Sequence, residues 1–225
     1  KMLEHRVDGI ALVGLEHADD THELLTQQHT PAVLLWNHAQ GVGIPSVGAD
    51  NYQAGYMIAQ HIADLGHRHI AGLFPPLAGN DRASQRFKGV QEGLKARGLA
   101  IAEGALLETL YSVGAAKAAV IEGLTSDHRP TAMICGNDVL AWGALHALRH
   151  LGLEAPNDIS ITGIGDFAGS AEFEPSLTTV RIPAGSIGRK AAQVIVEYIK
   201  YGTEVPQGAV FQPVLQVRAS CGVRA

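Results

Sequence analysis

Cysteine is scarce in this 225-residue chain: there are two, Cys135 and Cys221. They are far apart and match no metal-ligand or redox spacing. Their scarcity fits a reducing cytoplasm. Cys135 falls in an apolar run and reads as a small buried side chain. Long hydrophobic runs are also missing. None reaches the roughly 20 residues of a membrane-spanning helix, and no signal peptide opens the chain. Positive charge is in deficit, with 17 Lys and Arg against 22 Asp and Glu and a net charge of −5. No bulk field draws such a chain to nucleic acid. Catalytic signatures are lacking too: there is no G-x-S-x-G elbow, no P-loop and no G-x-G-x-x-G, and Gly163-Ile164-Gly165 is too short to be the last of these. His146 and His150 stand four apart, as two ligands on one helical face would, but no H-E-x-x-H motif and no third ligand accompany them. The sequence thus predicts no metal, no cofactor and no enzymatic activity.

What is present is an ordinary globular composition, 46% hydrophobic and 17% charged, on a chain long enough to bury a sizeable core. The most informative stretch runs from Arg129 to Pro183. Thr131–Cys135 is a short apolar run of buried-strand length. Gly136-Asn137-Asp138 breaks it, and Asp138 is placed to cap the helix that follows. Leu140, Ala144, Leu148 and Leu151 then mark one helical face. Gly152 supplies a left-handed stop, and Ile159–Thr162 is the next strand. Strand, helix and strand make a right-handed crossover unit.

The same alternation runs through the rest of the chain. Strands are expected at Val7–Val13, Pro31–Leu35, Ile70–Phe74, Leu106–Leu110 and Val210–Val217. Helices are expected at His22–Gln28, from Asn51 through Tyr52, Tyr56, Ala59 and Ala63, at Arg82–Arg97, Gly114–Leu124 and Ser186–Tyr201. Lys1–Arg6 reads as the end of a helix. This pattern predicts an α/β fold with parallel sheets.

In such folds ligands gather at loops leaving the carboxyl ends of strands. The polar residues so placed are Trp36 and Asn37 after one strand, Asn137 and Asp138 after another, and Asp166 after a third. Each has a plain alternative. The Asn and Asp residues are equally turn formers or caps, and Trp36 can stack on a sugar ring or plug a domain edge. Arg82 and Arg86 open a helix, where the macrodipole favours anions rather than cations. A planar guanidinium there can instead clamp hydroxyls or a carboxylate.

The runs GNDVLAWGAL, P-N-D-I-S-I-T-G and PSLTTVRIP, with V-D-G-I and L-G-H-R-H-I earlier, resemble the effector-binding domain of LacI/GalR-type transcriptional regulators over essentially the whole chain. The resemblance implies a two-lobed type I periplasmic-binding-protein-like fold. The amino-terminal lobe would be 1–48 plus 182–211, incomplete at its front, and the carboxyl-terminal lobe 49–181 plus 212–225. It implies a small effector in the cleft between lobes, with Arg86 of the R-x-x-G run Arg86-Phe87-Lys88-Gly89 as a ligand contact. It also implies a homodimer in the cytoplasm, with no membrane association, that meets operator DNA only through a helix-turn-helix headpiece missing before Lys1. It favours a helix-to-strand connector over a metal site at Leu65–His69. Two departures matter. Gly165 takes the first of two acidic positions usual in the family, and Trp36 replaces a strand-ending acid. Fewer carboxylates and two arginines point to a sugar acid. The Gly163–Phe167 run, the Trp36-Asn37 pair and the Asp81-Arg82-Ala83 lead are similar to the gluconate-operon-repressor branch, so gluconate or a relative is expected, with a neutral sugar also possible in the wider family. A periplasmic sugar-binding protein of a transporter shares the fold and is the competing reading.

Overall fold

The computed structural model describes residues 7–17, 19–27, 29–38, 43–124, 129–202 and 208–224. The expected helix end at Lys1–Arg6 and the last residue of the expected helix His22–Gln28 lie outside them. The elements in order are β1 (Ile10–Val13), α1 (Asp19–Gln27), β2 (Ala32–Trp36), β3 (Ser46–Ala49), α2 (Asn51–Asp64), β4 (Ile70–Phe74), α3 (Asp81–Lys95), β5 (Ile101–Glu108), α4 (Val113–Gly123), β6 (Ala132–Cys135), α5 (Asp138–His150), β7 (Ser160–Gly165), β8 (Thr178–Arg181), α6 (Ala184–Tyr201), β9 (Ala209–Phe211) and β10 (Val214–Gln216).

Two sheets result. One has the order β1-β2-β3-β9 and is parallel throughout. The other has the order β10-β8-β7-β6-β4-β5 and is parallel except for β10, which runs antiparallel to β8. The α/β architecture expected from the alternation is thus present, and β4 and β6 are the continuous buried apolar strands typical of a sheet covered on both faces. The chain divides into two compact units, unit 1 from 1–50, 79–82 and 183–212 and unit 2 from 51–78, 83–182 and 213–225.

Unit 1 packs Ile10, Leu25 and Ala32 together, with Leu12 and Ile44 against them. Val7–Val13 was expected to be a buried strand, yet only Ile10–Val13 pairs, and Ala11 and Val13 are exposed. This strand ends the observed sheet order, so one of its edges pairs with no other described strand. In α6, Ile187, Ala191 and Val194 are buried, and Gly202 closes the helix in the left-handed region at φ 75°. Only glycine reaches that region without steric cost.

Unit 2 holds the larger core, built from Leu73, Met133, Leu140, Ala144, Leu148, Ile159 and Ile161 among others. The expected face of α5 is buried except Leu151, which is the C-cap and is exposed. In α2 the buried face differs from the expected one. Ala54, Ile58 and Ile62 point inward with Ala59 and Ala63, whereas Tyr52 and Tyr56 stay half-exposed. The Tyr52 hydroxyl donates to Glu92 Oε2 at 2.6 Å. Val210–Val217, expected as one strand, is two: β9 joins the first sheet and β10 the second. Pro213 separates them, and a proline cannot donate to either ladder.

Helices α2 and α3 approach through glycine. A Cβ on Gly55 would overlap the Arg86 carbonyl oxygen, and one on Gly89 would overlap that of Tyr52. Backbone cannot rotate aside as a side chain can, so Gly89→Ala is expected to destabilise the domain by about 2 kcal/mol or more through overpacking. Urea denaturation checks this, and an unchanged midpoint would contradict the close approach.

Candidate functional site

The carboxyl ends of β6, β7 and β8 lie along one edge of the second sheet, because these strands are parallel neighbours. Three expected residues are gathered there. Asn137 follows β6 and is buried, 7% exposed. Its Oδ1 accepts from the Leu140 N–H at 3.0 Å, so Asn137 rather than Asp138 caps α5. The cap falls to the residue with extended backbone, φ −158° and ψ 176°, which places its side chain beside the first free N–H groups. Arg86 is 8% exposed. Its Nε donates to Asn51 Oδ1 at 2.8 Å and its Nη1 to the Gly136 carbonyl at 3.0 Å. The guanidinium is thereby tied to the turn that carries Asn137.

Asp138, freed from capping, organises the edge. It is fully buried, and its carboxylate accepts from Thr179 Oγ1 at 2.6 Å, the Phe167 N–H at 2.7 Å and Ser170 Oγ at 2.8 Å. Burial raises its pKa, and these three hydrogen bonds oppose the rise without cancelling it. Gly163 makes room, since a Cβ there would overlap Asp138 Oδ1. One side chain thus joins the start of α5, the loop after β7 and β8.

Asp166 was expected to meet a ligand. Its Oδ2 accepts from Arg181 Nε at 2.6 Å and its Oδ1 from Arg218 Nη2 at 2.6 Å. Desolvation alone would raise its pKa, but the hydrogen bonds and charges of Arg218 and Arg181 outweigh it and hold the carboxyl below its ordinary value. Its backbone takes φ 54°, unusual for a residue with a side chain, and the two arginines fix it there. Arg181 and Arg218 were not anticipated. Arg218 lies 52 residues from Asp166, and no local pattern signals such a pair.

The other three expected residues belong to unit 1, where Arg82 and Asn37 meet at Asp81. Its Oδ1 accepts from Arg82 Nη1 at 3.1 Å and from the Arg82 N–H at 2.7 Å. Its Oδ2 accepts from Asn37 Nδ2 at 3.1 Å and from the Leu15 N–H at 2.6 Å. Arg82 is therefore an ion-paired arginine. Asn37 is buried, and its Oδ1 caps the N–H of His38 at 3.0 Å. Trp36 ends β2 half-buried, at φ 74°. Gly48 opposite it lets the Asn37 backbone pass where a Cβ would collide.

Both cysteines are free, and burial raises each thiol's pKa, to about 12 for Cys221. Neither is a ready nucleophile in that state. Among the described residues no group of three His, Cys, Asp or Glu is placed to hold a metal ion. His67 is buried, with Nε2 against the Gly222 carbonyl at 3.1 Å and Nδ1 against Thr131 Oγ1 at 3.0 Å. Its contacts join the start of β4 to the chain end. A cleft of about 1110 Å³ opens elsewhere in unit 2, between α5 at Leu145, His146 and Arg149 and the 172–176 segment. Beside it the Trp142 ring stacks on Phe173 at 5.5 Å. It contains none of the polar residues described above.

Residues 59–221 match the model of the periplasmic binding protein-like domain. The chain belongs to that family. Within it the chain sits with the effector-binding domains of LacI/GalR-type regulators. It is 30% identical over 221 residues to the HTH-type transcriptional repressor PurR of Klebsiella pneumoniae (strain 342), covering 97% of this chain and 64% of that protein. It therefore spans just under two thirds of the length of that relative. The crystal structure of the transcription regulator GntR from Chromobacterium violaceum superposes with a TM-score of 0.88 at 30% identity, covering 97% of this chain and 80% of that one. A LacI family transcriptional regulator from Enterococcus faecalis V583, solved with bound ribose, superposes with a TM-score of 0.86 at 26% identity, covering 97% and 79%. The relatives named above are regulators rather than enzymes, and among the described residues no helix is long and apolar enough to cross a membrane.

Proposed function

We propose that this chain is the ligand-sensing domain of a bacterial LacI-type transcriptional regulator, most simply a repressor, and that its effector is a sugar acid such as gluconate. The observation that carries the reading is the buried polar edge of unit 2, where Arg86 and Asn137 are held by Gly136, Asn51 and the start of α5. A guanidinium fixed by two acceptors is preorganised for bidentate contact with hydroxyls or a carboxylate. Arg86, Asn137 and Asp166 on unit 2 and Trp36, Asn37 and Arg82 on unit 1 are the proposed ligand-binding set, the two units being the two lobes. An effector that favours one arrangement of the lobes shifts the population towards it. In this reading DNA is contacted by a separate headpiece, in keeping with the net charge of −5.

The regulator would act as a homodimer in the cytoplasm. Support for self-association comes from the cleft beside Trp142 and Phe173, which sets His146 and Arg149 on one wall against Glu172 and Glu174 on the other. A surface with both signs can pair with its own copy across a two-fold axis.

The alternative, a periplasmic sugar-binding protein of a transporter, has the same fold, but the relatives above are regulators. The intact protein's amino-terminal sequence and mass decide between them. A helix-turn-helix segment upstream of Lys1 is expected, and a cleaved export signal in its place overturns the regulator reading.

A further inference from the structure

The sugar-acid reading needs a cation that faces the ligand, and both arginines first singled out already hold protein acceptors. Arg82 is ion-paired with Asp81, and Arg86 is bound to a carbonyl and an amide oxygen. The Asp166 cluster is different. Here one carboxylate meets two guanidiniums. Arg218 is the more buried, 16% exposed at its side chain, and both its terminal nitrogens hold protein acceptors. Its Nη2 donates to Asp166 and its Nη1 to the Leu177 carbonyl at 2.8 Å. Arg181 is 51% exposed and engages Asp166 through Nε. Among the described residues nothing accepts from its two terminal nitrogens.

The position of Arg181 matters as much as its charge. It is the last residue of β8, paired in register with Gly165 of β7. It thus stands on the same strand-end edge as Asn137 and the Arg86–Gly136 contact. That edge also lacks an acceptor where one could have stood. Gly165 has φ 142°, and a Cβ there would meet the Phe167 ring at 2.5 to 3.0 Å, so an acidic side chain does not fit the backbone as built. Asp138, the other carboxylate nearby, is buried and turned to its own three donors.

We infer that Arg181 selects for the charge of the ligand: its two free terminal N–H groups receive the carboxylate of an anionic polyol, while Asp166 holds its Nε and Arg218 holds Asp166. This rests on the sugar-acid reading and adds to it the residue that discriminates the acid from the neutral sugar. A guanidinium with Nε anchored has lost most of its side-chain freedom before the ligand arrives, and its remaining edge matches a carboxylate in geometry. A neutral polyol offers that edge no charge, so it gains little from it.

The test is calorimetric titration of wild type, Arg181→Gln and Arg181→Lys with gluconate and with glucitol, its neutral counterpart. Arg181→Gln should weaken gluconate binding about tenfold or more and leave glucitol binding within about twofold, and Arg181→Lys should fall between. Because Arg218 remains on Asp166, the variants should melt close to wild type, which circular dichroism confirms. Gluconate binding unchanged in Arg181→Gln, or equal losses for both ligands in a folded variant, overturns this inference alone. A wild-type protein that binds no aldonate overturns it together with the reading it rests on.

Discussion

Asp138→Ala is expected to cost about 3 kcal/mol of stability, the largest effect of any single side-chain removal on this edge. Three donors meet its carboxylate: the Thr179 hydroxyl, the Ser170 hydroxyl and the Phe167 N–H. Alanine leaves all three facing a buried space, and each unsatisfied donor costs about 1–3 kcal/mol. Hydroxyl rotation recovers part of that, which keeps the total near the lower end of the sum. The pH dependence carries a sign that is easy to check. Burial raises the pKa of Asp138 above its ordinary value, so in the window between the two values the native state binds the proton that the unfolded state has released. Stability from this residue therefore falls as pH rises through that window and is regained on acidification. Asp166 behaves oppositely, since its lowered pKa gives stability above the ordinary carboxylate range that is lost as pH falls through the folded value. Urea denaturation of wild type and Asp138→Ala across mildly acidic pH should show the wild-type advantage growing as pH drops through the Asp138 window. An advantage that shrinks there would mean that the native state favours the ionised form.

Arg86→Met should abolish effector binding in the micromolar to millimolar range and lower stability by about 2 kcal/mol. Methionine keeps much of the aliphatic volume but leaves the Gly136 carbonyl and Asn51 Oδ1 without the donor they now share. Both lie in a region where Arg86 is only 8% exposed, so water replaces the lost bonds poorly. Denaturation and ligand titration on the same variant separate the two consequences. A folded Arg86→Met that binds ligand as wild type does would remove Arg86 from the site and leave it a structural brace.

The contrast between Asp138 and Asp166 shows what the chain disclosed as sequence. The alternation of strands and helices was legible because apolar runs, capping residues and glycine stops are local. Gly152 takes the left-handed backbone that was expected of it. The strand-end loops were legible too, because Gly136-Asn137-Asp138 breaks an apolar run. Which member of that triplet caps the helix was not, since Asn137 and Asp138 have the same local chemistry. Thr179, Ser170 and the Phe167 N–H, brought from 41, 32 and 29 residues away, draw Asp138 inward. Arg181 and Arg218 escaped notice for the same reason. Their partner is Asp166, and a pair formed across a sheet leaves no periodic trace. β3 was missed because Ser46–Ala49 is four residues long and contains glycine, too little for a strand signal. The splitting of Val210–Val217 by Pro213 carried a readable cue that hydrophobicity alone obscured.

The most direct measurement is a calorimetric titration of the folded chain with gluconate, related aldonates and the neutral sugars of matching carbon skeleton. Saturable one-to-one binding of an aldonate, about tenfold or more tighter than its neutral counterpart, is expected. Binding of neutral sugars alone would contradict it.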